Sequence, residues 1–598
     1  MKKLYRYLLP AFLILLVSVI LFIPEKSPSE PWVQTNGPYG GYIHCFAIEG
    51  GNIYAGTQGG GIFLSADNGT SWNEVNSGLM NNNTYSLAVS GTDILAGTGE
   101  GVYISNDKGA NWRLLDSELS NTIVLSLAVN GTSIFAGTGN GIFLSADGGT
   151  NWTSVNSGLT SVNINSLAIS GNNIFAGTED GGVILSTDNG ESWSPVNSGL
   201  TNLQINSLAV SGRTIFAGTY GGGVFLTNNN GSSWEALNSG LTNKYINSLA
   251  VSGTDILAGT AGGVFLWEDD GTSWKGINSG LTNTYVYSLA AVGENIYAGT
   301  DGGGVFLSAD GGTSWSPVNT GLTNIYVGAL AMSGPKIFAG TNGAGAFLSE
   351  NGGQSWKAVN SGLTNPYVFS LAMSGTNILA GTNGGGIFLS GDSGASWREV
   401  NIGLTNRYVY SLAASGTKIF AGTLGGGIFI SADGGKSWSP ANSGLTNLNV
   451  GSLAVNGENI FAGTFGDGVF VSANNGANWT PVNSGLTNSQ IFSLAVSGTN
   501  IFAGTPGSGV FSWEAGGKSW NPANSGLKNK NVNSLAVSGT TIYAGTYGGG
   551  VFLSADSGKN WRELDSGLTN IDVYSLGISG KEIFAGTNSR GVWKRPAF

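Results

Sequence analysis

The sequence predicts an all-β chain of tandem β-propellers, with fourteen four-stranded blades divided as two seven-bladed rings after an N-terminal hydrophobic helix. Three observations carry this reading. The tripeptide Ala-Gly-Thr begins at 55, 96, 136, 176, 217, 258, 298, 339, 380, 421, 462, 503, 544 and 585, so the repeat length is only ever 40 or 41 residues. Each unit contains four short apolar segments rich in Val, Ile, Phe and Tyr and bounded by Gly, Asn and Ser, which is the pattern of strands and tight turns. No window sustains the 3.6-residue period of a helix after residue 31. Four strands in about 41 residues fit one propeller blade.

The chain opens with Lys2, Lys3 and Arg6 before an apolar run from Leu8 to Pro24, broken only by Pro10 and Ser18. A positive segment followed by such a run directs a chain across a membrane. The run is longer than an ordinary signal-peptide core and short for a span. No Ala-x-Ala-like site follows it. Residues 8–24 are therefore expected to stay as a signal-anchor, with a cleaved signal peptide as the alternative. On either reading the rest of the chain is extracytoplasmic: exported and held at the cell membrane, or secreted. Residues 1–31 form this leader and a short linker.

The unit from Tyr285 to Asn324 shows the blade in order. Strand a centres on Ser288-Leu289-Ala290, strand b runs from Asn295 to Thr300, strand c from Val305 to Ser308 and strand d from Trp315 to Asn319. Between c and d stands Ser-x-Asp-x-Gly-x-x-Trp. Its acidic residue and tryptophan are Asp67 and Trp72, Asp107 and Trp112, Asp147 and Trp152, Asp188 and Trp193, Asp310 and Trp315, Asp392 and Trp397, Asp433 and Trp438, and Asp556 and Trp561. Four further copies keep the tryptophan but carry Asn229, Asn351, Asn474 or Ala515 in place of the aspartate. A fifth carries Trp267 in place of the serine and keeps Asp269. This signature closely resembles the Asp-box (BNR) repeat of sialidases, xyloglucanases, sortilin-type receptors and photosystem II assembly-factor propellers, and the resemblance runs from Trp32 to the C-terminus. The Ala-Gly-Thr-x-Gly-Gly element is similar to the regulator-propeller repeats of bacterial sensor proteins.

These boxes are read as structural. A short carboxylate in a Gly-containing turn accepts local backbone N–H bonds, and the tryptophan supplies a large apolar body to pack between sheets. One carboxylate per loop is too few for calcium, which takes six to eight oxygens. Asparagine replaces the aspartate three times, which a turn tolerates and a charged site does not.

The first element, Trp32 to Gly37, aligns with strand d, and the last, Gly591 to Trp593, aligns with strand c. Such ends complete one mixed blade, which a closed ring needs and an open solenoid does not. Trp32 to Trp315 spans half the repeats, giving a first ring over 32–314 and a second over 315–598. In the alternative, the strand at 32–37 crosses to complete the last blade and ties the rings together. Six plus eight blades, or one oversized ring like that of sortilin, are further arrangements.

If the strands run outward from the ring axis, the b–c and d–a loops share one face and the Asp boxes lie on the other. Resemblance to sialidase-like propellers makes the loop face the candidate binding face. Its b–c position varies among Gln58, Glu179, Tyr220, Ala261, Asp301, Asn342, Asn383, Leu424, Phe465, Pro506, Tyr547 and Asn588. The d–a loop adds Tyr245, Tyr285, Tyr326, Tyr367 and Tyr408, with Tyr42 at the same place in the first unit. Tyr220, Tyr245, Tyr285, Tyr326, Tyr367, Tyr408, Phe465 and Tyr547 are the candidate ligand-binding aromatics. Packing by a β-favouring residue accounts for the same tyrosines. Asparagines of the Leu-Thr-Asn loops would offer donors and acceptors to a neutral polar ligand.

Catalysis has less support. A sialidase resemblance implies an arginine cluster, and the loop face holds only Arg407 and Arg590. A xyloglucanase-like reading implies one acid from each ring across a cleft; Asp301 or Asp180 with Asp467 would make that pair, among the non-periodic acids Glu100, Glu179, Asp180, Asp301, Asp467 and Asp572. The long loops that build a substrate cleft are missing. The Gly-rich turn is no phosphate loop, because a strand follows it and no lysine is present.

Composition narrows the partners. The 598 residues carry 24 Lys and Arg against 35 Asp and Glu, a net charge of −11, so a phosphate backbone is repelled and nucleic acid is not expected. With one histidine, His44, and one cysteine, Cys45, neither a disulfide within the chain nor a Cys/His zinc site can form; both residues are assigned structural roles. No metal or cofactor is called. A photosystem-assembly role is disfavoured by the acidic surface. The reading is a non-enzymatic binding scaffold for a protein or a neutral glycan, with a two-propeller glycoside hydrolase as the alternative.

Overall fold

The computed structural model describes residues 31–35, 39–115, 118–268, 272–321, 323, 325–415, 417–514 and 517–597. The hydrophobic segment at 8–24 lies outside them, as do Asp269 and Ala515. No helix in the described residues is long and apolar enough to cross a membrane.

Strands form fourteen four-stranded antiparallel sheets. Blades are numbered here from the sheet that begins at Ile43–Glu49, so blade 7 runs from Val286–Val292 to Ser316–Pro317 and blade 8 from Val327–Ser333 to Lys357–Ala358. Inner strands a pack in succession, and two contacts close circles: blade 1 on blade 7, and blade 8 on blade 14. The result is two seven-bladed rings. Ring 1 closes with Ser288 Oγ donating to Ile43 O at 3.0 Å, and ring 2 with Ser575 Oγ donating to Val327 O at 3.2 Å.

Blade composition follows from position. Strand b lies between two neighbouring sheets and is buried over its last five residues in every blade, which is why it reads as a continuous apolar and small run instead of an alternation. The glycine of Ala-Gly-Thr is where the next blade's strand a leans in. A Cβ built on Gly177 would sit 2.6 Å from Ile205 Cγ2. Cores therefore lie between blades: Phe135 and Ile142 of blade 3 join Ile164, Ile174 and Trp193 of blade 4 in one cluster.

The Ser-x-Asp turns bond inward. Ser65 Oγ donates to Asp67 Oδ1 at 2.8 Å and accepts from Gly69 N at 2.8 Å, while Asp67 Oδ1 accepts from Ser71 N at 2.9 Å. Asn229 reproduces this, accepting from Ser233 N at 3.0 Å, so the turn needs an acceptor oxygen and not a charge. Each tryptophan reaches the preceding blade. Trp112 Nε1 donates to Val75 O at 2.7 Å and Trp193 Nε1 to Val155 O at 2.8 Å.

Two boundaries differ from expectation. Val33–Gln34 pairs with Val592–Pro596, and so completes blade 14 of ring 2, not ring 1. Ser316–Pro317 is the outer strand of blade 7, so Trp315 belongs to ring 1 and not to a second ring starting at 315. A ring cut at 314 would leave blade 7 without its outer edge. Trp32 takes the box-tryptophan place in blade 14: it is 2% exposed, and its Nε1 donates to Leu564 O of blade 13 at 2.5 Å. Ring 1 thus closes on whole blades, and the N-terminal strand crosses to seal ring 2.

Candidate functional site: the cleft between the rings

The rings meet at the b–c and d–a loops of blades 1 and 7 on one side and blades 8, 9 and 14 on the other. Backbones touch there. Gly302 and Gly343 have φ of +78° and +109°, and a Cβ on Gly302 would fall 1.8 Å from Asn342 O. Only glycine fits both the left-handed backbone and the approach. Asn283 Nδ2 spans the seam, donating to Asp301 O at 2.6 Å and to Gly343 O at 2.7 Å. Asn342 Nδ2 donates to the Tyr42 hydroxyl. Arg590 pairs with Glu74 at 2.8 Å.

Beside this seam lies a cavity of about 550 Å³, walled from ring 1 by Tyr42, Gln58, Gly59 and Asn83, and from ring 2 by Tyr326, Asn342, Tyr547, Asn570, Asp572, Asn588 and Ser589. Amides and phenols dominate its wall. Asp572 is the one carboxylate among them, with Oδ1 accepting from Gly548 N at 2.8 Å. The arrangement offers donors, acceptors and aromatic faces suited to a neutral polar ligand.

The expected aromatics are dispersed. Tyr326 and Tyr547 line the cavity, and both pack on Tyr574, with ring centroids 4.6 and 6.3 Å away. Tyr367 Oη donates to Asp301 Oδ2 at 3.0 Å. Tyr285 packs on Tyr287 at 5.1 Å. Tyr220 and Tyr245 pair edge to face at 5.0 Å in blades 5 and 6 of ring 1, outside the cavity, and are about half exposed. Tyr408 is exposed beside blade 10, and Phe465 packs on Phe492 at 5.6 Å in ring 2. The Leu-Thr-Asn asparagines are not free for a ligand: Asn202, Asn365, Asn406 and Asn570 each donate to the carbonyl of a b–c residue and hold the loop belt together.

The acids are also separated. Asp301 is mostly buried and faces tyrosines, and this burial pushes its carboxyl above the ordinary range despite the Tyr367 hydrogen bond. Asp180 is exposed on blade 4, three blades from the seam in either direction. Asp467, on blade 11, is two blades from the seam at blade 9 and accepts from Thr446 Oγ1 at 2.6 Å beside a different cavity. No pair forms from the three. His44 lies between Tyr85 and Tyr287, 5.5 and 5.6 Å from their rings, and Cys45 Sγ points to Thr84 O. Among the described residues no group of three His, Cys, Asp or Glu side chains is placed to hold a metal ion.

Gln58, Asn342, Tyr547 and Asn588 carry a sequence signal, the varying b–c position. Asn570 has none, because the same asparagine recurs in nearly every blade. Tyr574, which backs Tyr326 and Tyr547 within ring 2, stands at a strand-a position that carries no such signal.

Comparison with known proteins agrees with this architecture. Residues 121–258 match the DUF6242 beta propeller domain. No curated protein matches the sequence. The GH74 xyloglucanase of Xanthomonas campestris superposes with a TM-score of 0.66 at 16% identity, covering 94% of this chain and 99% of that one. The GH74 enzyme of Niastella koreensis gives 0.61 at 17% identity, covering 94% and 99%. PorZ of Porphyromonas gingivalis, a surface component of the type-IX secretion system, gives 0.55 at 13% identity, covering 95% and 87%. At these identities the likeness is one of fold. The chain is an all-β tandem propeller protein.

Proposed function

We propose that this protein is an extracytoplasmic binding scaffold, held at the membrane by residues 8–24, that takes a neutral glycan or a protein in the cleft between its rings without turning it over. The boxes are proposed to be Asp-box (BNR) repeats of purely structural role. The observation that carries the reading is the wall of the inter-ring cavity, where Gln58, Asn83, Asn342 and Asn588 stand among three tyrosines and a single carboxylate. Amides and phenols bind hydroxyl-rich or peptide groups by hydrogen bonding and stacking. A panel of neutral oligosaccharides tested by calorimetry, with product release followed in parallel, checks this. Binding without release, weakened about tenfold or more by Tyr547→Ala, is the expected result; binding unaffected by that change would contradict it.

One observation favours the second reading, a two-propeller glycoside hydrolase. Burial raises the Asp301 carboxyl, the direction a general acid requires, and the Xanthomonas campestris structure is that of a xyloglucanase. That chemistry needs a second carboxyl group about 5–9.5 Å away, whereas the groups facing Asp301 are tyrosines. Hydrolysis abolished by Asp301→Asn would establish the enzyme over the scaffold.

A further inference from the structure

Ring docking buries a carboxylate, whichever ligand the cleft takes. Asp301 stands on the b–c turn of blade 7, and Oδ2 accepts from Tyr367 Oη of ring 2 at 3.0 Å. Its backbone carbonyl is fixed by Asn283, whose amide also grips Gly343 of ring 2. The titratable groups that face Asp301 are Tyr42 from the segment before blade 1, Tyr285 and Tyr287 from blade 7, and Tyr367 from blade 9. Among the described residues no cation pairs with it.

We propose that Asp301 and Tyr367 form a protonation-dependent latch between the rings, which holds the cleft closed while Asp301 keeps its proton and slackens it when the carboxylate ionises. An ionised carboxylate needs water, a cation or several donors. Here it has one phenolic donor inside a tyrosine-lined pocket. Opening the seam restores its water, so the closed form binds the proton more tightly than the open one, in keeping with the upward displacement that burial produces. By linkage, closure is strongest below the ordinary carboxylate value and weakens as pH rises through the raised value of Asp301. The cavity feels this directly. Tyr42 and Asn342, which form its wall, are hydrogen-bonded to each other across the same seam. Asp301 is thus a positioning residue for the cleft.

Hydrogen–deuterium exchange of segments 39–43 and 341–345, corrected for intrinsic rates, reads the latch at about pH 5 and about pH 7.5, with small-angle X-ray scattering as a measure of ring separation. Several-fold greater protection in acid is expected for the wild type. Asp301→Asn, which keeps an acceptor for Tyr367 but cannot ionise, is expected to show acid-like protection at both values. Tyr367→Phe removes the donor that eases ionisation, so it is expected to widen the pH difference, and it serves alone if the Asn variant does not fold. An Asn variant with the wild-type pH difference, or a Phe variant with the same or a smaller one, would overturn the latch. Glu74–Arg590 is retained in all three proteins and cannot account for a difference between them.

Discussion

Trp72 Nε1 donates to Val318 O at 2.7 Å across 246 residues of sequence. It is the same bond that Trp112 makes to Val75 within consecutive blades, here used to close ring 1 on itself. Trp72→Ala is expected to cost about 3–5 kcal/mol through the cavity left by a buried aromatic, with exchange protection lost first at the seam between blades 1 and 7. Trp397→Ala should cost a similar amount but loosen blades 8 and 9. Denaturant titration with exchange mapping separates the two. Equal loss of protection throughout both rings would refute the assignment of separate closures.

The box carboxylates predict an acid limit. Hydrogen bonds from the residue four positions on hold Asp147, Asp188, Asp310, Asp392 and Asp556 down to about 2. A group depressed in the folded state adds stability above its unfolded value, and that stability is lost as pH falls through the folded one. Circular dichroism should therefore show the fold weakening between about pH 4 and pH 2. Asp147→Asn, on the pattern of Asn229, is expected to leave its turn intact and reduce the slope in that window. An unchanged slope would count against the boxes as its source.

Ring docking rests on backbone contact at Gly302 and Gly343. Gly343→Ala would place a Cβ 2.1 Å from Asp301 O at a φ of +109°, so the rings are expected to separate while each keeps its tryptophan core. Near-ultraviolet circular dichroism should be preserved, whereas scattering should report a larger radius of gyration. Loss of both signals together would mean that the rings are not independently folded.

Trp32 links the N-terminal strand to ring 2 through Leu564, with the Arg595 guanidinium 5.9 Å from its ring. Trp32→Ala should cost about 3–5 kcal/mol, confined to blades 13 and 14, although the residue adjoins ring 1 in sequence. Exchange mapping that placed the loss in blade 1 would contradict the strand crossing.

The blade count and strands were legible because the period is rigid and each turn is marked by Gly, Asp and Trp. Ring membership of Val33–Gln34 was not. All outer strands carry the same chemistry, so periodicity alone cannot say which sheet an orphan strand completes. The cleft was half legible: variability at the b–c tips marked Gln58, Asn342, Tyr547 and Asn588, but their convergence depends on how two rigid bodies dock. The same docking buries Asp301 and leaves Asp467 two blades from the seam, though the two look equivalent in sequence. Asparagines of the Leu-Thr-Asn loops misled because backbone carbonyls, invisible in a sequence pattern, claim their amides.

The crossing of Val33–Gln34 into blade 14 gives the two rings two covalent connections: one between Thr35 and Ile43, the other between Pro317 and Val327. A single linker would let one ring swivel about all three axes of the other. The two tethers run side by side, since a Cβ on Gly40 of the first would lie 3.1 Å from Ile325 of the second, and together they fix one hinge beside the cleft. Widening the cleft is then a swing about that hinge, and a partner that pries the rings apart works against both strands at once.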